Sequence, residues 1–207
     1  MLVIGITGNI ACGKSTVDGM LRELADATII DADRVVHAVL RDDAGVRDAI
    51  LATFGPSVLE ADGQINRSRL GGVVFSDPRE LRRLEAIVHP AVCRLVRGEL
   101  AALTRNATAV IDAVKLLDGD LGPLINTVWW VTARADKQWE RLIKARGLSE
   151  TEARRRLAAQ PRLDIYRDRV HVIIDNSGSL VETRIQVCAA LESVGTILTA
   201  QAPRAVL

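Results

Sequence analysis

The chain has 207 residues, 48 % of them apolar and 26 % charged, with a formal net charge of +1. That length suits one domain of ordinary size with a sizeable core, and the composition is that of a folded rather than a disordered chain. The near-neutral balance gives no electrostatic case for a nucleic-acid or membrane-surface protein, so an anionic ligand has to be met by a local cluster of cations.

Taken in chain order, Leu2–Thr7 is a short apolar run of the kind that forms a buried parallel strand. It feeds Gly8-Asn9-Ile10-Ala11-Cys12-Gly13-Lys14-Ser15-Thr16, followed by a helical pattern from Thr16 to Leu24. A second strand pattern, Thr28–Asp31, closes on Ile30-Asp31-Ala32-Asp33-Arg34. Residues from about 36 to 85 are mainly helical, with turn signals at Asp62-Gly63 and Asp77-Pro78, and read as an insertion into the sheet. Strand patterns recur at Ala107–Asp112, Thr127–Thr132 and His171–Asp175, separated by helical stretches. The alternation predicts an α/β fold with a five-stranded parallel sheet.

Between the last two strands lies a basic stretch, about 144 to 167, carrying Lys144, Arg146, Arg154, Arg155, Arg156, Arg162 and Arg167. Ser149 with Glu152 three residues on has the capping-box spacing and predicts a helix from Ser149 to Gln160, closed by Pro161. A cationic arm in that position suits a lid over phosphates; a solvated charged helix is the other reading. The three cysteines, Cys12, Cys93 and Cys188, and three histidines, His37, His89 and His171, lack metal-ligand spacing. The beginning of the chain lacks a signal-peptide pattern and no apolar run approaches membrane-spanning length, so the expectation is a cytoplasmic protein without membrane or nucleic-acid partners.

The segment from Gly8 to Ser15 matches GxxxxGK[ST] in full, with the strand before it and the helix after it that the physics requires. Backbone N–H groups of such a loop wrap phosphates, and the helix N-terminus adds positive potential. Lys14 reaches the β- and γ-phosphates of ATP, and the Ser15 hydroxyl suits a Mg²⁺ ion, with Thr16 the alternative hydroxyl. Cys12 reads as a small residue filling the loop, or as a thiol acidified at a helix N-terminus. At the second strand's end, Asp33 is the candidate to hydrogen-bond an acceptor hydroxyl and take its proton; the competing reading is that the Asp31/Asp33 pair caps the next helix. Val110-Ile111-Asp112 has the form of a Walker B strand, or of any strand that ends in Asp. No Asn-Lys-x-Asp guanine-reading motif is present.

Further stretches carry a resemblance: Phe54-Gly55, Val74-Phe75-Ser76-Asp77-Pro78, Leu84 to Pro90, Arg141 to Ser149, Leu157 to Gln160 and Ile174-Asp175-Asn176-Ser177-Gly178. With the P-loop and Asp31-Ala32-Asp33, they make the chain resemble the dephospho-coenzyme A kinase family along nearly its whole length. The resemblance implies a P-loop kinase core with strand order 2-3-1-4-5, a helical substrate-side insertion and a short lid. It implies transfer of the γ-phosphate of ATP, with Mg²⁺, to the ribose 3′-hydroxyl of dephospho-coenzyme A. Separately, a monomer or small homo-oligomer is expected, although the sequence does not give the oligomeric state. The core is expected at 1–35, 86–143 and 168–207, the coenzyme-A-side insertion at 36–85 and the lid at 144–167.

By the same resemblance, Lys14, Asp33 and Arg141 are the catalytic candidates. The ATP-binding candidates are Gly8, Asn9, Ile10, Ala11, Cys12, Gly13, Lys14, Ser15 and Thr16, joined by Arg146, Asn176 and Gly178; the acceptor-side candidates are Asp33, Arg34 and His89. His89 also reads as a satisfied structural histidine, and Asn176 as a turn residue. Two departures stand out. Lys115 occupies a position where the family usually has Pro, and Leu163 one where it commonly has Arg, with Arg162 or Arg167 as substitutes. Another P-loop nucleoside or sugar kinase, or an ATP-binding module without transfer, are the rival readings.

Overall fold

A computed structural model describes residues 1–201 except 146, 161 and 162, with the backbone alone for 195–201. The five apolar runs form one parallel sheet from β1 (Leu2–Gly8), β2 (Thr28–Asp31), β3 (Thr108–Asp112), β4 (Thr127–Thr132) and β5 (Val172–Asp175). Their order is β2-β3-β1-β4-β5, as the resemblance implied. Register pairs Ile6 with Asp112 on one side and with Trp129 on the other. The carboxyl ends of β1, β3 and β2 therefore lie side by side, where parallel α/β sheets bind ligands.

The pleat sends alternate side chains to opposite faces. Val3, Ala109, Ile111, Val128 and Trp130 enter one apolar cluster, and Ile4, Ile6, Val110, Trp129 and Val131 enter the other. The second cluster is closed by α1 (Lys14–Ala25), through Val17 and Leu21, and by α8 (Leu180–Gln201), through Val187. The first is closed by α2 (Ala32–Asp42), α3 (Ala44–Phe54), α4 (Arg67–Val74) and α5 (Pro78–Ala101). The helical character expected for 36–85 is present. However, α2 begins at Ala32, directly off β2, and α5 runs through residue 85 and through Pro90 to Ala101.

Beyond β4, α6 (Ala135–Glu140) passes into a π-helical turn, Arg141–Ala145, and then α7 (Glu150–Ala158). The Ser149 Oγ accepts the N–H of Glu152 at 3.3 Å, the first half of the expected capping box. The second half is missing, because Glu152 turns its carboxylate to Arg155 and Arg156. The complete reciprocal box occurs at α8: Ser179 N–H donates to Glu182 Oε2 at 2.7 Å and Glu182 N–H to Ser179 Oγ at 3.2 Å. Pro161, expected to close α7, lies outside the described residues. A 3₁₀ segment, Leu163–Arg169, leads back to β5.

Candidate active site

The P-loop owes its shape to two glycines and to donors from distant elements. Gly8 has φ 151° and Gly13 φ 91°; a Cβ would sit 2.1 Å from the Val131 carbonyl oxygen at the first and 2.1 Å from Asn176 Nδ2 at the second. Ala11 takes φ 56°, a left-handed conformation costing a side-chain-bearing residue roughly 1–2 kcal/mol. What holds it is a clasp on the loop's carbonyls. Gln138 Nε2 donates to Ile10 O at 3.0 Å, and Arg141 Nη1 to Ala11 O at 3.1 Å and Cys12 O at 3.0 Å. Asn176 Nδ2 donates to Cys12 O at 2.9 Å, and Gln160 Oε1 accepts Ile10 N–H at 2.8 Å. With carbonyls engaged outward, the remaining N–H groups are free to form an anion nest.

This loop borders a cleft of about 430 Å³ that brings together Asn9, Ala11, Cys12, Gly13, Lys14, Ser15 and Thr16 with Asp112, Arg141, Asn176 and Gly178. Ile10 is held by the two glutamines instead, and Gly8 faces a neighbouring cleft. Arg141 spends its donors on the protein: besides the two loop carbonyls, Nη2 donates to Asn176 O at 2.8 Å. Asn176 is buried and fully used, its Oδ1 accepting from Thr183 Oγ1 at 3.0 Å. The turn-residue reading of Asn176 gives way to a clamp between the P-loop and the β5–α8 connection. Burial pushes the Cys12 thiol up, against the helix N-terminus and Lys14, so the acidified-thiol reading fails and the loop-filling one stands.

Beneath the loop, Lys14 Nζ lies 3.8 Å from Asp112 Oδ1. Asp18, one turn along α1 from Lys14, meets Asp112 carboxyl to carboxyl. Both are raised, first by burial; Asp18 is pushed up to about 7, also by the neighbouring Asp112 and by its hydrogen bond to it, with Lys14 opposing. The two carboxyls therefore titrate as a pair that keeps a proton to higher pH than an ordinary carboxyl. The sequence reading missed Asp18, although its i+4 spacing from Lys14 marks it as sharing that helix face. The Oδ1 atoms of Asp18 and Asp112 have no hydrogen-bond partner among the described residues. Asp112 Oδ1, with Lys14 near it but no hydrogen bond, shares the cleft with the Ser15 hydroxyl; such a set fits Mg²⁺, which takes one or two protein oxygens and completes its shell from substrate phosphates and water.

At the end of β2 the carboxylate pair divides its work. Asp31 caps α2, its Oδ1 accepting Arg34 N–H at 3.0 Å. Asp33, in the first turn, lines a separate cavity of about 160 Å³ with His89, Val92, Val114 and Lys115. His89 Nδ1 lies 3.3 Å from Asp120 Oδ2 across this cavity. Arg34, one residue and about 100° further round the helix, opens on a different depression with His37 and Arg41. Pro90 likewise faces away, beside Asp43 and Arg94. Asp112 feels Asp31 and Asp33 as like charges, so the two cavities are electrostatically in touch.

Four of the basic residues of the expected lid, Lys144, Arg154, Arg155 and Arg156, are engaged with acids or an aromatic ring of residues 139–152. Lys144 pairs with Glu140 at 2.8 Å, and Arg155 and Arg156 with Glu152, whose carboxyl they hold down to about 2. Arg154 lies 5.0 Å from the Trp139 ring centroid. Arg146 and Arg162 lie outside the described residues. Leu163 packs against the first apolar cluster and Arg167 is exposed.

Comparison with known proteins gives one consistent result. The Dephospho-CoA kinase family model matches residues 2–182. A dephospho-CoA kinase of Symbiobacterium thermophilum is 44 % identical over 192 residues, 92 % of this chain and 80 % of that protein. One from Geobacillus kaustophilus is 41 % identical over 193 residues, 92 % of this chain and 96 % of that protein. Among solved structures, a Thermus thermophilus protein superposes with TM-score 0.79 at 30 % identity, covering 93 % of this chain and 97 % of its own. Dephospho-CoA kinase from Campylobacter jejuni shares the fold at TM-score 0.66 and 24 % identity, covering 94 % and 97 %.

Proposed function

The chain belongs to the dephospho-CoA kinase family, and on that premise we propose that its two cavities divide the transfer of the ATP γ-phosphate to the ribose 3′-hydroxyl of dephospho-CoA, giving CoA and ADP. The observation that carries the reading is the placement of Lys14, Asp112 and Asp33 at the carboxyl ends of three adjacent strands. A phosphate nest lies on one side of Asp112 and a carboxylate suited to an acceptor hydroxyl on the other.

In this reading the P-loop cleft takes the ATP phosphates, and Gly178 and Asn176 line the side that the adenine passes. Lys14 neutralises charge developing on the transferred group. Ser15 and Asp112 would hold Mg²⁺, which adds charge neutralisation to the phosphates when bound. Asp33 orients the 3′-hydroxyl and accepts its proton; because phosphoryl transfer has a loose transition state, alignment carries more of its effect than basicity. Arg141 acts by position: three hydrogen bonds to carbonyls fix the loop that cradles the phosphates. His89 borders the acceptor cavity, whereas Arg34 contributes at a separate surface. The division into a core at 1–35, 86–143 and 168–207, an acceptor-side unit at 36–85 and a lid at 144–167 belongs to the same proposal, with α5 the helix shared by core and acceptor side. We place the enzyme in the cytoplasm as a monomer or small homo-oligomer. What supports the cytoplasmic part is the family's substrates; separately, no described helix is long and apolar enough to cross a membrane.

The test is product identity. ATP·Mg²⁺ and dephospho-CoA are incubated with the protein and the product is examined by mass spectrometry and ³¹P NMR. A gain of one phosphoryl group, as a monoester on the ribose 3′-oxygen, is expected. A phosphoryl group on any other oxygen contradicts the assignment of Asp33.

A further inference from the structure

We infer that Lys115 is the residue that recognises the acceptor by its negative charge, gripping the diphosphate of dephospho-CoA; the inference rests on the functional reading above. Dephospho-CoA carries its adenosine on a diphosphate, and binding that group in a small, largely apolar cavity requires a cation. Among the described residues, those lining the cavity around Asp33 include two carboxylates, Asp33 and Asp120, one histidine and a single lysine or arginine, Lys115. Lys115 also lines the adjoining cleft of about 340 Å³, with Gly8, Asn9, Asp118, Gln160 and Tyr166. It therefore stands at the junction of the acceptor cavity with the mouth of the P-loop.

The backbone that carries it is fixed. Asp112 lies three residues upstream, Ala113 N–H donates to Ile6 O at 3.1 Å, and Thr7 Oγ1 donates to Val114 O at 3.1 Å. Both bonds tie the β3 exit to the strand that feeds the P-loop. The side chain, by contrast, is free to move: it is 60 % exposed, and Nζ lies 3.1 Å from Glu85 Oε1 on α5. An exposed pair of this kind is weak, because water screens both charges, so a doubly charged diphosphate can draw the ammonium group away from it. Glu85 holds Lys115 at the rim between turnovers and competes with the acceptor for it.

This geometry requires opposite effects from the two partners. Lys115→Gln is expected to raise KM for dephospho-CoA about tenfold or more, with the loss falling on KM rather than kcat and with KM for ATP unmoved. It is also expected to flatten the rise of that KM with added KCl, because one ionic contact has gone. Lys115→Arg is expected to restore both properties, and Glu85→Gln to lower the KM a few-fold. The experiment is steady-state kinetics of these three variants and the wild type at two KCl concentrations, with circular dichroism melting to show that each is folded. A Lys115→Gln KM within twofold of wild type, or a loss that Lys115→Arg does not repair, overturns the inference. Absence of turnover with dephospho-CoA in the wild type overturns the functional reading instead.

Discussion

The nucleotide cleft and the acceptor cavity sit side by side on one sheet, yet they are built by opposite means. The nucleotide cleft is polar and heavily cross-linked: Gln138, Arg141, Gln160 and Asn176 all hydrogen-bond to the P-loop backbone. The acceptor cavity is smaller, with helices α2 and α5 packed through aliphatic contacts such as Val36 and Val92, and Asp33, His89, Lys115 and Asp120 are set among apolar side chains. Phosphate recognition needs N–H groups held in place before the ligand arrives. Recognition of an adenosine needs shape, one oriented carboxylate and a counter-charge for the diphosphate.

The contrast makes the two sides separable by mutation. Lys14→Ala strikes the nucleotide side and is expected to lower kcat/KM by about 10³-fold or more and to weaken ATP binding with it. Unchanged ATP binding would break the comparison at its first step. Asp33→Asn strikes the acceptor side and is expected to lower turnover by about 10²- to 10³-fold while ATP·Mg²⁺ affinity, measured by calorimetry, stays as it was. Loss of ATP binding in that variant would show that the two cavities are not independent.

The buried carboxyl pair sharpens the same contrast through pH. The Asp18 carboxyl is raised to about 7 in the folded chain against 3.8 unfolded. Both states are protonated below about pH 4, so the group then has no effect on stability. As pH rises from about 4 to 7 the unfolded chain loses the proton first, and stability falls; above about 7 the full cost is present. Asp18→Asn is therefore expected to raise stability at pH 8 by about 2–4 kcal/mol, with the gain vanishing towards pH 4. Thermal melts across that range read it directly, and a gain independent of pH would contradict it.

Asn176→Ala is expected to cost about 1–2 kcal/mol in chemical denaturation, since it removes two buried hydrogen bonds, while Arg141 still serves the Cys12 carbonyl and Ser179 O the Thr183 hydroxyl. The smallest effect is expected at the lid, where Arg154→Ala loses a contact to Trp139 worth about 0.5–1 kcal/mol, visible as a change in tryptophan emission.

The same division explains what could be read from the chain. The sheet and the P-loop were legible because their signals are local: period, apolar runs and an eight-residue motif. Asp31 and Asp33 were recognised as a pair, but spacing cannot say which one caps the helix; the structure gives the cap to Asp31 and the cavity to Asp33. The clamp by Asn176 was not legible, because it joins residues 164 apart in sequence. Asp18 was passed over because no motif includes it, and its pressure on Asp112 exists only once α1 docks beside β3. In the basic stretch the charge was legible but its pairing with Glu140 and Glu152 was not, because side-chain pairing depends on rotamers that spacing does not fix.

The measurement that tests the central claim most directly is a coupled ADP-release assay with ATP·Mg²⁺ and, in turn, dephospho-CoA, adenosine, AMP and no acceptor. The account predicts rapid release with dephospho-CoA, and background release with AMP and with water alone. Release that proceeds at one rate whatever the acceptor would contradict it, because the cavity at Asp33 would then select nothing.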